Sequence, residues 1–416
     1  MNTEIGVRLS RSASFPFAID IIEKLVHAGH VAYFAGGCVR DAWLGIEPKD
    51  IDIATTAKPE QVEYLFPHTV AVGKKFGIIV VVRDKESIEV ATFRKESDYR
   101  DGRRPEAIEY SGPEDDSVRR DFTVNALFFD PTKNEMIDFQ DGISDLNRRR
   151  IRCVGIADKR FSEDYLRILR CFRFALILDF DIEPATQQSA LNHKGGLKQI
   201  SQERKRDELL KIALKLKNPR KLISTFSAVK LWEAYALPNE MIYYMDYFFN
   251  TKIASEAAFL IQLLWDFEGK IDYKSWLKEF KCSTEVRQLV LRSLEFKKMR
   301  QAVLDWTDEE IHFYCYKNDL RDVVDLLLLE MKSPFYGVNP ITKNIIERME
   351  VLKRWMIYYG ENIIKPLVSG DDLKSKFQGK ELGRVLDLLF RKQLVLKWNR
   401  RDQALHWLES NTDKEK

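Results

Sequence analysis

Two stretches of this chain carry residue types at spacings that could do chemistry. The first reads Gly36-Gly37-Cys38-Val39-Arg40-Asp41, then Lys49-Asp50-Ile51-Asp52-Ile53. On a strand, residues two apart point to the same side, so Asp50 and Asp52 would stand as neighbouring carboxylates. Such a pair repels unless a cation neutralises it, and oxygen-only ligation suits Mg²⁺ shared with phosphates. A Gly-Gly turn ahead of a helix leaves backbone amides open to a triphosphate, with Arg40 one turn further on. Glu89, on an expected strand, could supply a third carboxylate to a two-metal site. Asp-x-Asp alone also fits solvent-facing acids on an edge strand. The joint order of strand, Gly-Gly, helix with arginine and strand with paired acids favours metal ligation. Neither a Walker lysine pattern nor a GxGxxG fingerprint competes with it.

The second stretch is rich in arginine. Arg119-Arg120-Asp121-Phe122-Thr123 leads into Val124-Asn125, and farther on Glu163-Asp164-Tyr165-Leu166-Arg167 continues into Arg170 and Arg173. On one helix, Asp164, Arg167 and Arg170 would project from a single face, with Arg173 at its edge. An aspartate can accept from the exocyclic amine of cytosine or adenine while a guanidinium donates to a ring nitrogen or carbonyl. Further arginines would grip phosphates bidentately. A surface helix with i,i+3 salt bridges fits the same pattern.

The elements that must position these residues fall into two regimes. Up to about residue 150, short β-branched runs alternate with turn signals. Strands are expected at 30–35, 50–55, 77–82 and 87–94, a helix at 38–44 and a hairpin at 124–129 with 135–139. Residues 95–107 are charged, lack an apolar period and read as a loop. Beyond about residue 161 the apolar spacing becomes helical, first over 162–178 with Ser162 as N-cap. Helices are also expected at 203–216, 255–265, 307–316, 320–331, 344–358 and 382–395. The fold class is therefore α+β, a mixed-sheet head followed by a long helical part.

Composition sets the frame. The 416 residues exceed one ordinary core, and 45% hydrophobic with 31% charged residues is the make-up of a folded soluble chain. No apolar run approaches the length of a membrane span, and no secretory signal is visible, so a cytoplasmic location is expected. Five scattered cysteines argue against a disulfide framework or a CxxC zinc site. The net charge of +3 is unevenly spread: −5 over 1–130, +8 over 131–230, −5 over 231–350 and +5 over 351–416. Basic segments of this kind suit phosphate contacts with nucleic acid, but charge alone fits solvated helix surfaces better. The aromatic stretch 232–249 suits core packing better than base stacking.

Taken in order, the motifs resemble the class II tRNA nucleotidyltransferases, the CCA-adding and bacterial poly(A) polymerase group of the DNA polymerase beta superfamily. The matching pieces are GGCVRD, KDIDIAT, IEVATFR, DGRRPEAIEY, RRDFTVNAL, DFQDGISDL, RFSEDYLRILRCFRFA and ISQERKRDEL, with a fainter LVSGDDL and QGKELGRVLDLL near the end. The resemblance implies a catalytic head over 1–150, a base-recognising neck over 151–215, a helical body over 216–350 and a tRNA-binding tail over 351–416. It implies catalytic Asp50, Asp52 and Glu89, with metal on Asp50 and Asp52. It implies nucleotide contacts at Gly37, Arg40, Arg120, Asp164, Arg167, Arg170 and Arg173. Asp164 and Arg167 would act as a protein template for the incoming base. The implied activity is addition of CCA to the tRNA 3′ end from CTP and ATP with Mg²⁺, with no membrane and no obligatory protein partner.

Members that add only cytidines lack a loop after the third-acid strand; residues 94–107 keep it, which disfavours that activity. Poly(A) polymerases of the group usually carry a basic extension, and this chain stops soon after the tail motif. Some members add only the terminal adenosine, and this alternative stays open, as does poly(A) synthesis. No histidine is followed by aspartate, so no attached phosphohydrolase domain is expected. A non-catalytic RNA binder would not need Asp50 and Asp52, and a small-molecule nucleotidyltransferase would not need the arginine-rich helix.

Overall fold

The computed structural model describes residues 2–99, 105–238, 255–265, 269–298 and 364–411, with scattered single residues between 253 and 354. Contacts divide the chain into two compact units, one of residues 1–215 with 229–237 and the other of 216–228 with 238–416.

The first unit is built on a seven-stranded mixed sheet, ordered β3-β4-β5-β2-β1-β8-β9. Its strands are β1 (Ala32–Ala35), β2 (Ile53–Thr55), β3 (Thr69–Gly73), β4 (Ile78–Arg83), β5 (Glu86–Thr92), β8 (Leu127–Asp130) and β9 (Glu135–Asp138). Only β2 and β5 run parallel, with Ile53 opposite Val90; the other pairs are antiparallel. Ala35, Ala54, Phe93 and Phe128 form one buried cluster, with Phe93 edge-on to Phe128 at 5.7 Å. Helix α2 (Phe15–His27) buries Phe17, Ala18, Ile21, Ile22 and Leu25, a stripe at helical spacing. Its first residue meets β1, where the Phe15 and Phe34 rings lie 5.8 Å apart.

Two sequence expectations for this part need correction. The strand expected at 50–55 begins only at Ile53. Its pairing extends one bond further, from the Ala35 N–H to the Asp52 carbonyl. The loop expected over 95–107 is largely a second, two-stranded sheet of β6 (Arg94–Tyr99) and β7 (Pro105–Tyr110), with 100–104 outside the described residues. Strand β3 was absent from the sequence expectations.

The remainder of this unit is helical. Its helices α7 (Ala157–Glu163), α8 (Leu166–Leu178), α9 (Pro184–His193) and α10 (Gln202–Lys215) include α8 packed against α10. Buried Ile168, Leu169, Cys171 and Phe172 fill α8's inner face. In the second unit, helix Glu256–Leu264 is capped by Ser255, whose side chain accepts from the Ala258 N–H. Val368, Leu373, Leu389, Ala404 and Leu408 make a small core between helices Gly379–Leu396 and Arg401–Asn411. The helices expected at 307–316, 320–331 and 344–358 lie almost wholly outside the described residues, as does most of the aromatic stretch 232–249. Cys38, Cys153, Cys171 and Cys282 are buried free thiols. Among the described residues no helix is long and apolar enough to cross a membrane.

Candidate active site

Strand β1 ends in the Gly36-Gly37 turn, and helix α3 (Gly37–Trp43) starts there. Gly36 sits at φ +73°, and a Cβ there would stand 2.9 Å from Arg120 Nη1, so both backbone and neighbour require glycine. Gly37 is different. A Cβ on it would meet only Arg40 Nη2 at 3.8 Å, an ordinary contact. The protein's own packing therefore leaves the space beside Gly37 open for a ligand.

One turn along α3, the buried Arg40 is fixed on two sides. Its Nε and Nη2 donate to Asp41 Oδ1 at 2.8 and 2.6 Å, and Nη1 donates to Asn125 Oδ1 at 2.5 Å. Ahead of β2, Ile51 is buried while Asp50 and Asp52 are exposed, the alternation an extended chain produces. The parallel register of β2 with β5 places Asp52 beside Glu89. Although Asp52 reaches solvent, the protein atoms packed around its carboxyl still desolvate it, and this is the largest of the influences that push it up to about 6. Glu89 and Asp50 raise it further, and Arg120 opposes them. Crowded, oxygen-only donors short of positive charge fit a hard divalent cation. Among the described residues no three His, Cys, Asp or Glu gather as a ready metal cage. Mg²⁺ does not require one, because it commonly takes one or two carboxylates together with water and phosphate.

The opposite wall comes from the segment after α5 (Pro113–Val118), from Asp164, and from the helices α8 and α10. Here the sequence expectation fails in detail. The helix expected over 162–178 breaks at Asp164, which is extended at φ −149° and ψ 105°. Its Oδ1 accepts the Leu166 N–H at 3.0 Å, capping the start of α8. Ser162 is no cap; its hydroxyl donates to the Lys159 carbonyl inside α7. Asp164 and Arg167 therefore do not share a helix face. Asp164 Oδ2 instead accepts from Arg204 Nη2 at 3.0 Å, and Arg167 Nη1 donates to Glu163 Oε2 at 2.7 Å. Arg170 pairs with Asp121 through Nε at 2.7 Å and Nη2 at 2.6 Å. Arg173 lies 2.7 Å from Glu208. Arg40, Arg170 and Arg173 all stack near the Phe174 ring, at 5.1, 5.4 and 4.3 Å.

These walls enclose one cavity of about 570 Å³ within the first unit. Of the ten residues singled out in the sequence, it is lined by Gly37, Arg40, Asp52, Glu89, Arg120, Asp164, Arg167, Arg170 and Arg173; Asp50 lies outside its lining. Sequence reasoning missed Asp121, Asn125 and Arg204 as lining residues. It also missed the carboxylates of Asp116, Glu163 and Glu208 that hold the arginines. The Arg119–Asn125 motif was visible, but nothing local said which arginine each acid would meet. Seven arginines and four carboxylates line the cavity. With the carboxylates behind them the charges come close to balance, so what the site offers a polyanion such as a nucleoside triphosphate is a set of held guanidiniums.

Residues 32–152 match the poly A polymerase head domain, and residues 179–234 match the probable RNA- and SrmB-binding site of polymerase A. The CCA-adding enzyme of Streptococcus suis (strain 05ZYH33) is 38% identical over 299 residues, covering 70% of this chain and 73% of that protein. The CCA-adding enzyme of Staphylococcus aureus (strain MRSA252) is 31% identical over 405 residues, covering 95% and 98%. The chain belongs to the CCA-adding enzyme family. Its fold is that of such enzymes as well. The crystal structure of the Bacillus stearothermophilus CCA-adding enzyme in complex with CTP aligns with a TM-score of 0.72 at 27% identity, covering 97% of this chain and 99% of that one. The cavity of this family member thus brings Asp52, at the edge of the sheet, and Glu89, on β5, together with seven arginines.

Proposed function

We propose that this protein adds C, C and A to the 3′ end of tRNA from CTP and ATP, without a nucleic acid template. The observation that carries the reading is the cavity in which Asp52 and Glu89 face Arg120, Asp164, Arg167, Arg170 and Arg204. A nucleotide with its triphosphate toward α3 would place its α-phosphorus beside the acids and its base toward the break between α7 and α8. The open side of Gly37 admits phosphate oxygens against bare backbone, and Arg40 and Arg120 supply charge to them.

Asp50 and Asp52 would hold Mg²⁺, with Glu89 adjoining. Mg²⁺ bound there supplies charge for the attacking 3′-oxygen and the departing pyrophosphate. The chain's own part is to position. The 3′-hydroxyl of RNA attacks the α-phosphorus in line, a P–O bond forms and pyrophosphate leaves. Asp164 would accept the exocyclic amine that cytosine and adenine share, and Arg167 would donate to the ring edge. Both residues must leave the partners they hold here, Arg204 and Glu163, or share them with the base. Residues 1–150 would act as catalytic head, 151–215 as base-reading neck, 216–350 as body and 351–416 as the part that grips tRNA, its +5 charge meeting phosphates.

The test uses tRNAs ending at the discriminator base, at C and at CC, with Mg²⁺ and with CTP and ATP given separately and together. Extension from the bare end to CCA followed by arrest is the expected result. Extension of the CC-ended tRNA alone would make it an A-adding enzyme, and unlimited ATP addition a poly(A) polymerase.

A further inference from the structure

Asp116 does not line the nucleotide cavity, yet its carboxylate holds two of the arginines that do. It is 1% exposed, on the short helix α5. Its Oδ2 accepts from Arg120 Nε at 3.2 Å and Nη2 at 3.1 Å. Its Oδ1 accepts from Arg119 Nε at 2.8 Å and from the Arg94 backbone N–H at 3.3 Å. Arg119 and Arg120 both line the cavity, and Arg94 opens the β6–β7 hairpin.

The remaining contacts make this arrangement restrictive. Arg120 Nη1 donates to the Asn125 carbonyl at 3.0 Å, and its guanidinium lies 4.7 Å over the Phe128 ring. With Asp116 holding Nε and Nη2, the Asn125 carbonyl holding Nη1 and the Phe128 ring under one face, the guanidinium is fixed on three sides. The carbonyl of Arg119, the residue that caps the C-terminus of α5, accepts from Arg167 Nη2 at 3.1 Å. One carboxylate therefore ties the base of the hairpin to Arg120 directly and, by way of Arg119, to Arg167.

We propose that Asp116 is a positioning residue for nucleotide addition, acting through Arg120 without touching the substrate. This rests on the functional reading above. A planar guanidinium held on two nitrogens meets a phosphate with little further ordering, whereas one released on a flexible stem must be ordered on binding. Asp116→Asn keeps the side chain's shape but removes the charge and turns one acceptor into a donor facing an arginine. Charge-assisted hydrogen bonds of this kind correspond to roughly 10- to 100-fold when lost.

The experiment is a cycle of four proteins: wild type, Asp116→Asn, Arg120→Ala and the double variant. Each is assayed for kcat and KM with CTP and with ATP on tRNA, for ATP binding and for thermal melting. The expected result is an Asp116→Asn loss of about tenfold or more in kcat/KM that disappears in the Arg120→Ala background. Losses that multiply in the double variant, or an Asp116→Asn protein with wild-type kinetics, overturn the proposal. Should Asp116→Asn melt too low to assay, Asp116→Glu keeps the charge and enters the same cycle with the same two readings. If the wild type adds nothing to tRNA, it is the functional reading that fails, and ATP binding by the four proteins still decides the role of Asp116.

Discussion

Replacing Asp121 by asparagine would break the ion pair that holds Arg170, and its cost can be worked from the structure. Asp121 is 8% exposed. It accepts from Arg170 on Oδ2 and from Asn125 Nδ2 and the Phe122 N–H on Oδ1, at 3.1 and 2.8 Å. Desolvation by itself would raise this carboxyl. Arg170, Asn125 and Arg167 overcome it and hold the group at about 2, against an ordinary 3.8. A depression of that size corresponds to about 2 kcal/mol of stability at neutral pH. The folded-state value lies below the unfolded one, so the contribution is present above the unfolded value and is lost as pH falls through the folded value. Roughly half should remain near pH 3. Asp121→Asn should therefore lower the melting temperature by about 4–8 °C at pH 7. The difference from wild type should stay constant down to about pH 5 and shrink below pH 4. Thermal unfolding of both proteins across pH 3–7 gives the result. A gap that is absent at pH 7, or that widens on acidification, would refute the assignment of Asp121 as a stabilising, ionised partner of Arg170.

Three further outcomes are expected. Asp52→Asn should reduce nucleotide addition by on the order of a thousandfold, while the metal-free protein melts no lower than wild type, because the replaced carboxylate is crowded by Glu89 and Asp50; a large fall in melting temperature would assign it a structural role instead. Asp164→Ala removes the cap on α8, at about 1 kcal/mol, and should also erode discrimination of CTP and ATP from UTP and GTP by about tenfold or more; single-nucleotide incorporation with all four triphosphates measures it, and intact discrimination would move base reading elsewhere. Gly36→Ala should destabilise by about 1–2 kcal/mol, because of its positive φ and the clash with Arg120. Gly37→Ala should leave the melting temperature nearly unchanged and raise KM for both nucleotides; equal behaviour of the two variants in melting and kinetics would contradict the distinction drawn between them.

The site was legible wherever its chemistry depends on neighbours along the chain. Asp50 and Asp52 are both exposed with Ile51 buried between them, as alternation along extended backbone suggests, yet only Asp52 lines the cavity. The Gly-Gly turn announced a strand-to-helix junction because the combination of φ +73° and ψ −120° found at Gly36 strongly favours glycine. The strand-rich first part and the helical remainder followed from the change of apolar period. The β6–β7 hairpin was not legible: its residues include Lys95, Glu96, Glu106 and Glu109, with no apolar alternation, and backbone pairing across the hairpin defines it. The break at Asp164 escaped for a similar reason. The periodicity of Leu166, Ile168, Leu169 and Phe172 runs on from α7, and only the side chain's capture of the Leu166 N–H shows where the helix restarts.

The amino-acid sequence by itself determined the family and singled out the candidate acids and arginines, because these are residue types at short, fixed spacings. Tertiary structure decided how each charge is compensated. Asp121 meets Arg170 across 49 residues, Asn125 meets Arg40 across 85, and Asp164 meets Arg204 across 40. Such pairings are not written in any local period. They exist because the sheet and the helices of the first unit bury these groups around one cavity, where a charge left without a partner would cost several kcal/mol.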